Sequence, residues 1–397
     1  MKNKFIVTDY GVKSNTEELQ TDALQSVFDM CIESGGTVVI PKGRFYTGGL
    51  RMWSDTVLYL EEGAELVGSD ICEDFKVFEV PENVELRTDM EMIRDYYGKT
   101  WEEYRRSIIS VYGGKNIKII GEKDSLIDGN NCCDPNGEEG YRGPHGIFIT
   151  NVDGIELTGY TIKDCGNFMH QIDNCRNIHI HDLKCEGGSD GVHLHCCVDT
   201  LVENCIFHTG DDCVAGINMY NLTVKNCDIN TSCDAFRMGG VHILVENCHI
   251  WGPGIYPHRL SVVQNRHTDL VRKKSNTLPR EAGRHNTISV FVLFSSVHYP
   301  NPEPFHDIVF KDCTIDGVDT FLEYLANEHV LFTGTYLTGI TLENVKFINM
   351  KNPSLVKTVD EYPLNVNMTN TTVSYQDSSK GKELFSPDSQ NVNVQYQ

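Results

Sequence analysis

The 397-residue chain carries 56 acidic and 34 basic side chains, which gives a formal net charge of −22, and 40% of its residues are hydrophobic. This composition excludes a wholly disordered or collagen-like chain. The acidic balance argues against nucleic-acid and membrane partners, and no apolar run approaches the roughly 20 residues of a membrane-spanning helix. The sequence leaves the oligomeric state open.

The first residues, Met1 to Gly11, lack the apolar segment and the cleavage site of a secretory signal. We therefore expect a cytoplasmic protein, or a secreted one whose leader has been removed. The cysteine count is odd at 15, and no Cys-x-x-Cys pair is present. This pattern favours reduced thiols over a zinc site or a disulfide framework.

An amphipathic helix is predicted for residues 21–34, and Gly35-Gly36 would end it. Its apolar face comprises Ala23, Leu24, Val27, Phe28 and Cys31. Strand-like blocks follow up to residue 70. We interpret the helix as a cap over the first coil of a solenoid, because an open solenoid end exposes unpaired strand edges.

The main part of the chain, residues 108–361, is periodic. A polar residue followed by cysteine recurs at intervals of 20, 20, 22 and 21 residues, at Cys165, Cys185, Cys205, Cys227 and Cys248, and again at Cys313. The blocks between these dipeptides alternate apolar and polar residues, with Asn, Asp and Gly at the turns.

Short strands with this regular period predict an all-β fold, a single-stranded right-handed parallel β-helix with an N-terminal capping helix. We expect one β-helix domain over 1–397 in which the six cysteines stack in one internal ladder. Residues 71–107 and 264–286 are expected to be loops that leave the solenoid. Residues 362–397 form either a last coil or a poorly ordered tail.

Acidic residues recur at one register of the repeat. Asp190 is followed 21 residues later by Asp211 and then by Asp212, and Asp234 comes one further period along the chain. Adjacent strands lie about 4.8 Å apart, so these carboxylates are expected to share one wall. A single Asp is usually a turn residue, and a calcium site is a rival interpretation of the group. Clustered carboxylates also suit glycoside hydrolysis, which needs one general acid and one base.

Ser189-Asp190-Gly191, followed by Gly210-Asp211-Asp212-Cys213, resembles the Asn-Thr-Asp-Gly and Gly-Asp-Asp-Cys motifs of the polygalacturonases of glycoside hydrolase family 28. The N-terminal segment, Ile127-Asp128-Gly129 and Arg142-Gly143-Pro144 are also similar, and the resemblance covers roughly residues 5–260. It implies an inverting hydrolase in which Asp212 is the general acid and Asp190 and Asp211 position and activate water. Inversion requires about 6.5–9.5 Å between the carboxyl groups.

The chain departs from the family at two motifs. Asp234 stands where the family has the His of Gly-His-Gly, and no Arg-Ile-Lys follows. The candidates to bind a substrate carboxylate instead are Arg237, which could also balance Asp234, and Arg259 or Arg284, which could simply anchor loops.

Other predicted substrate-binding residues lie near the acids in the repeat. His193 and His195 alternate outward beside Asp190, and His170 of the preceding coil is expected on the same wall. Trp101, in the 71–107 loop, could stack on a sugar ring or pack on the solenoid. The two histidines with Asp190 lack a convincing third ligand, so we predict neither a metal nor another cofactor.

The sequence thus predicts an inverting glycoside hydrolase that cleaves an O-glycosidic bond in an oligo- or polysaccharide. Exo action is one option, because long loops can close a groove into a pocket. A pectin-derived substrate is another, whereas the net charge of −22 favours short or neutral substrates. Two alternatives stay open: a β-helix that binds glycans without cleaving them and, less favoured, a polysaccharide lyase.

Overall fold

The computed structural model describes residues 3–86, 102–265, 270, 272–295, 301, 303–326 and 335–396. Within these ranges the α-helices with defined bounds are α1 (Thr21–Asp29) and α2 (Arg259–Gln264). The strands are, in chain order, β1 Lys4–Ile6, β2 Gly36–Ile40, β3 Gly43–Thr47, β4 Leu50–Arg51, β5 Thr56–Leu60, β6 Ala64–Gly68, β7 Ser107–Gly121, β8 Leu126–Asp128, β9 His145–Thr158, β10 Thr161–Lys163, β11 His170–Asp173, β12 Arg176–His181, β13 Lys184–Gly187, β14 Val192–His195, β15 Val198–Glu203, β16 Ile206–Thr209, β17 Val214–Lys225, β18 Asp228–Thr231, β19 Asp234–Glu246, β20 His249–Trp251, β21 Ser289–Leu293, β22 Ile308–Lys311, β23 Thr314–Asp316, β24 Thr320–Leu325, β25 Gly339–Glu343, β26 Lys346–Met350, β27 Val356–Lys357, β28 Leu364–Thr369, β29 Thr372–Tyr375 and β30 Val392–Tyr396.

The chain is a right-handed parallel β-helix, as the periodicity predicted. Strands of successive coils pair in parallel and form an 11-stranded sheet on one side and a 19-stranded sheet that wraps the rest. Alternate side chains of each strand point inward, and one continuous buried apolar cluster extends from Val7 to Phe385. Strands β28 to β30 extend the solenoid through the C-terminal region.

Helix α1 packs on β3 and β4 at the N-terminal end and buries Leu24, Val27 and Phe28. It is shorter than predicted, since it ends at Asp29 rather than at residue 34. Gly35 follows with φ +64°, and a Cβ there would lie 2.4 Å from the carbonyl oxygen of Asp55. The turn after the helix therefore requires glycine.

The expected six-member cysteine ladder is wrong in part. Four cysteines stack on successive coils, each directly before a strand of the 11-stranded sheet: Cys205, Cys227, Cys248 and Cys313. Cys185 instead lies inside β13, where it pairs with Ile162 and Phe207. The coil from β10 to β13 is longer than the spacing between Cys165 and Cys185, so these two cysteines fall at different positions of the repeat. All 15 cysteines are free thiols.

Two excursions from the solenoid flank the face that carries the acidic residues. Among the described residues of 71–107, the only regular elements before β7 are short 3-10 turns at Cys72–Asp74 and Glu102–Arg105. The second excursion lies between β20 and β21, contains α2 and folds back onto the coils. Its Lys274 Nζ lies 2.8 Å from Asp128 Oδ2, and its Ser275 Oγ accepts a 2.9 Å hydrogen bond from the Gly188 amide. No helix in the described ranges is long and apolar enough to cross a membrane.

Candidate active site

The parallel register stacks the predicted acids. Asp190, Asp212, Asp234 and Ser289 occupy the same position on four successive coils. Asp211 precedes Asp212 and extends the row sideways. We call Asp190, Asp211, Asp212 and Asp234 the aspartate cluster. Its members are only 1–7% exposed, and one oxygen from each of Asp190, Asp211 and Asp212 lies within 4.8 Å of the other two.

Two basic side chains hold Asp211. Arg142 Nη2 donates a 2.7 Å hydrogen bond to Asp211 Oδ2, and His258 Nε2 lies 3.5 Å from Asp211 Oδ1. Arg142 is itself fixed by Glu139 Oε2 at 2.7 Å and by Asn167 Oδ1 at 3.2 Å. Burial by itself raises the pKa of Asp211, but His258 and Arg142 outweigh it and bring that pKa well below its ordinary value. Asp211 is therefore a stable carboxylate.

Asp212 has the opposite electrostatic environment. Burial, followed by the charges of Asp211 and Asp234, raises the pKa of Asp212 well above its ordinary value. Arg237 Nη1, 3.7 Å from Asp212 Oδ2, opposes this shift without reversing it. Adjacent residues with pKa values displaced in opposite directions form the combination that separates a proton donor from a proton acceptor.

The other two members of the cluster are also protonated more readily than usual. Burial and the charges of Asp211 and Asp212 raise the pKa of Asp190 well above its ordinary value. Burial raises the pKa of Asp234 to about 6, although the Ser289 hydroxyl donates a 2.7 Å hydrogen bond to Asp234 Oδ1 and lowers it.

Arg237 points outward next to Asp212. Its guanidinium carbon lies 4.1 Å from the centroid of the Phe294 ring, and 24% of its side chain is exposed. Arg237 forms an ion pair with Asp212, whereas the sequence had suggested Asp234 as its partner. The paired position on the preceding coil is the buried Ala215.

The predicted histidines separate into two environments. His193 and His195 lie side by side, with ring centroids 4.5 Å apart. His193 Nδ1 is 3.5 Å from Asp190 Oδ2, and its ring packs edge-on against Phe168. His195 Nδ1 instead lies 3.3 Å from Asp173 Oδ1, one coil away from the aspartate cluster.

The expectation that His170 lies on the same wall is wrong. His170 pairs with Ile147 and Val192, whose side chains belong to the core, so its own side chain points inward. Its Nδ1 lies 2.9 Å from the Gly191 carbonyl oxygen, and its Nε2 lies 3.0 Å from the Tyr160 hydroxyl. Burial lowers its pKa to about 4. A neutral ring that donates from Nδ1 therefore supports the turn after Asp190.

Arg259 anchors a loop and does not line the site. It is 1% exposed, and its Nη1 donates a 2.9 Å hydrogen bond to the Cys165 carbonyl oxygen and a 3.3 Å bond to Ser189 Oγ. It thereby braces the backbone before Asp190. Trp101 lies outside the described residues.

Sequence reasoning missed Arg142 and His258 as contacts of Asp211. Both residues lie next to positions that the sequence analysis used: Arg142 belongs to a segment that supported the family resemblance, and His258 directly precedes Arg259. Neither occupies the acid register, however, because Arg142 lies far upstream of Asp211, in the loop after β8, and His258 directly precedes α2.

Fold and site together define a parallel β-helix protein with a buried carboxylate cluster. Residues 75–235 match the model of the glycosyl hydrolases family 28. An exo-poly-alpha-D-galacturonosidase of Dickeya chrysanthemi is 26% identical in an alignment 255 positions long that covers 52% of this chain and 41% of that protein. The chain thus aligns with about two fifths of the length of this curated relative.

Two solved structures share the fold. An exopolygalacturonase of Thermotoga maritima superposes with a TM-score of 0.64 at 12% identity, over 93% of this chain and 86% of that one. A family 28 exopolygalacturonase of Yersinia enterocolitica superposes with a TM-score of 0.63 at 17% identity, over 93% and 72% of the two chains. The resemblance to glycoside hydrolase family 28 that the sequence motifs indicated is thus confirmed over residues 75–235.

Proposed function

We propose that the chain is an inverting glycoside hydrolase that acts on a uronic-acid-containing, pectin-derived oligo- or polysaccharide. The observation that carries the proposal is the Asp211–Asp212 pair. Arg142 and His258 keep the first residue ionised, while burial and neighbouring acids favour the protonated form of the second. General acid–base hydrolysis needs these two states side by side.

In this mechanism the carboxylic acid of Asp212 donates its proton to the glycosidic oxygen as the bond to the anomeric carbon breaks. The Asp211 carboxylate accepts a proton from the attacking water, and Asp190 helps to position that water. Arg142 and His258 act on Asp211 rather than on the sugar, so we assign them as positioning residues. The buried site strengthens each of these electrostatic interactions.

Arg237 supports an acidic substrate. Its guanidinium is partly exposed, stacked on Phe294 and next to the proposed acid, where it could accept a sugar carboxylate in a bidentate contact. The excursion between β20 and β21 folds back onto Asp128 and Gly188, and a loop of this kind can close a groove into the pocket that exo action needs. The exo activity in the name of the Dickeya relative supports the same assignment.

The inverting course is proposed from the resemblance to family 28, because the spacing of the carboxylates does not by itself support it. Oxygens of the three candidate acids approach within 4.8 Å, which is closer than the separation of about 6.5–9.5 Å usual for inverting pairs. Proton NMR of the first anomer released decides the point directly. Inversion is expected, and an initial product with retained configuration would overturn that part of the proposal.

Turnover of a panel of pectin-derived and neutral oligosaccharides tests the function. We expect Asp212→Asn to lose at least about 100-fold in kcat, the lower range for a general acid. Asp124→Asn is the matched control, because Asp124 is 72% exposed in a turn with φ +60°, a conformation that Asn tolerates. Equal turnover by wild type and Asp212→Asn would refute the assignment of Asp212.

The same panel separates the alternatives. A lyase would release an unsaturated product that absorbs in the near ultraviolet, and a glycan-binding β-helix would retain oligosaccharides without cleaving any of them. Either result would overturn the hydrolase proposal.

A further inference from the structure

Three side chains of different chemistry converge beside the aspartate cluster. One potential ligand atom from each of Asp211, Cys233 and His258 lies within 4.8 Å of the other two. Asp211 and Cys233 are neighbours on adjacent coils, directly before the paired positions Asp212 and Asp234. His258 comes from the second excursion, at the residue before α2. The solenoid thus supplies two members and the excursion supplies the third.

The ligand atoms are weakly engaged within the protein. The strong 2.7 Å bond from Arg142 is to Oδ2 of Asp211, whereas Oδ1 faces His258 Nε2 at 3.5 Å. The His258 side chain is 9% exposed, and its buried Nδ1 has no hydrogen-bond partner among the described residues. The half-buried Cys233 Sγ makes long contacts, at 3.7 Å to Asp234 Oδ2 and 3.5 Å to Arg284 Nη2.

We propose that Asp211, Cys233 and His258 form a binding site for a thiophilic divalent cation of the zinc class, and that the bound ion inhibits the enzyme. Sulfur, imidazole nitrogen and carboxylate oxygen are the ligands that Zn²⁺ takes in tetrahedral sites, with water as the fourth. Calcium does not fit this trio, because it requires six to eight oxygen ligands. The Asp211 carboxylate and the Cys233 thiolate that forms on binding offset the positive charge of the ion.

The inhibitory part of this proposal rests on the proposed function. An ion on Asp211 removes the carboxylate that accepts the proton from water, and it places positive charge beside the proposed acid. The Cys233 thiol releases its proton when it binds the ion, so affinity increases with pH. Cys233 itself has no part in the hydrolytic mechanism, and a substitution there separates metal binding from catalysis.

Cobalt(II) is the probe, because its thiolate complexes absorb at longer wavelengths than the Trp and Tyr side chains of the apoprotein. Titration of the wild-type chain is expected to give a saturable thiolate-to-cobalt band at one equivalent. Cys233→Ser should abolish the band, and His258→Gln should weaken cobalt binding at least about tenfold. Cys196→Ser is the matched control, since Cys196 is also half-buried, and it should keep the band. Circular dichroism verifies that each variant is folded.

This spectroscopic measurement does not depend on any activity of the chain. Absence of a band at saturating Co²⁺, or its persistence in folded Cys233→Ser, would overturn the site even if the chain hydrolyses glycans. In a parallel activity assay, Zn²⁺ should inhibit the wild type, and at least about tenfold more Zn²⁺ should be needed to inhibit Cys233→Ser to the same extent. Equal inhibition of both would overturn the inhibitory role.

Discussion

Replacement of Arg142 tests the electrostatic basis of the proposed mechanism. Arg142 is 7% exposed in its side chain and binds two carboxylates, Glu139 Oε2 and Asp211 Oδ2, each at 2.7 Å. Arg142→Gln removes the charge and leaves Asp211 with His258 at 3.5 Å. The pKa of Asp211 should therefore rise, because burial, the largest influence on it, already favours the protonated form.

The magnitude follows from the burial of both partners. Removal of one member of a buried ion pair typically costs about 3–5 kcal/mol of stability. Because the pKa of Asp211 is lower in the folded than in the unfolded chain, this residue stabilises the fold at pH values above its unfolded pKa. That stability is lost only as pH falls through the low pKa of Asp211 in the folded state. In Arg142→Gln that contribution should be lost at neutral pH. Once protonated, Asp211 cannot accept a proton, and kcat/KM should fall about 10²–10⁴-fold.

The assay is the pH dependence of kcat/KM on the best oligosaccharide of the panel, together with thermal unfolding. Arg142→Gln should shift the acidic limb of the profile to higher pH. Glu139→Gln is the matched control, because it removes a partner of Arg142 and preserves the Arg142–Asp211 contact. An unchanged acidic limb in folded Arg142→Gln, with activity near that of the wild type, would refute the role assigned to Arg142.

Three further predictions test the site and the solenoid. Asp212→Asn should raise Tm at neutral pH but not in acid. The pKa of Asp212 is higher in the folded than in the unfolded chain, so this residue destabilises the fold once pH exceeds its unfolded pKa, and Asn removes that cost; a lower Tm at neutral pH would contradict this. Arg237→Met should raise KM for acidic oligosaccharides about tenfold or more, with partial recovery in Arg237→Lys, and an equal effect on neutral sugars would contradict a carboxylate contact. Phe207→Ala should lower the free energy of unfolding, measured with denaturant, by about 3–5 kcal/mol, because Phe207 is fully buried between Cys185 and Ile229. Ile206→Ala, at a position that is 38% exposed, should lower it far less.

The sequence predicted much of this protein because a β-helix is built from local repeats. Inward and outward positions alternate along each strand, and the coil length determines which residues stack. The recurrence of acids once per coil was therefore enough to predict a carboxylate wall, and the structure places Asp190, Asp212 and Asp234 at one position of successive coils. The parallel β-helix followed from the same repeat, whereas the N-terminal helix followed from the amphipathic pattern of residues 21–34.

The sequence pattern could not predict small irregularities in the length of individual coils. One coil that is longer than the cysteine spacing moved Cys185 out of the predicted cysteine ladder. His170 was assigned to the outer wall, but its pairing with Ile147 and Val192 directs its side chain into the core. In each case the error is a shift of strand register, which moves a side chain to another position or to the other face.

Only the tertiary structure decided which charges surround the acids. Arg142 and His258 reach Asp211 from an upstream loop and from the excursion before α2, and no periodicity in the sequence relates them to it. The aspartates themselves are equivalent as residues, and their different pKa shifts arise from burial and from these long-range neighbours. The repeat thus determined where the carboxylates lie, whereas loops that close over the solenoid determined which of them holds a proton.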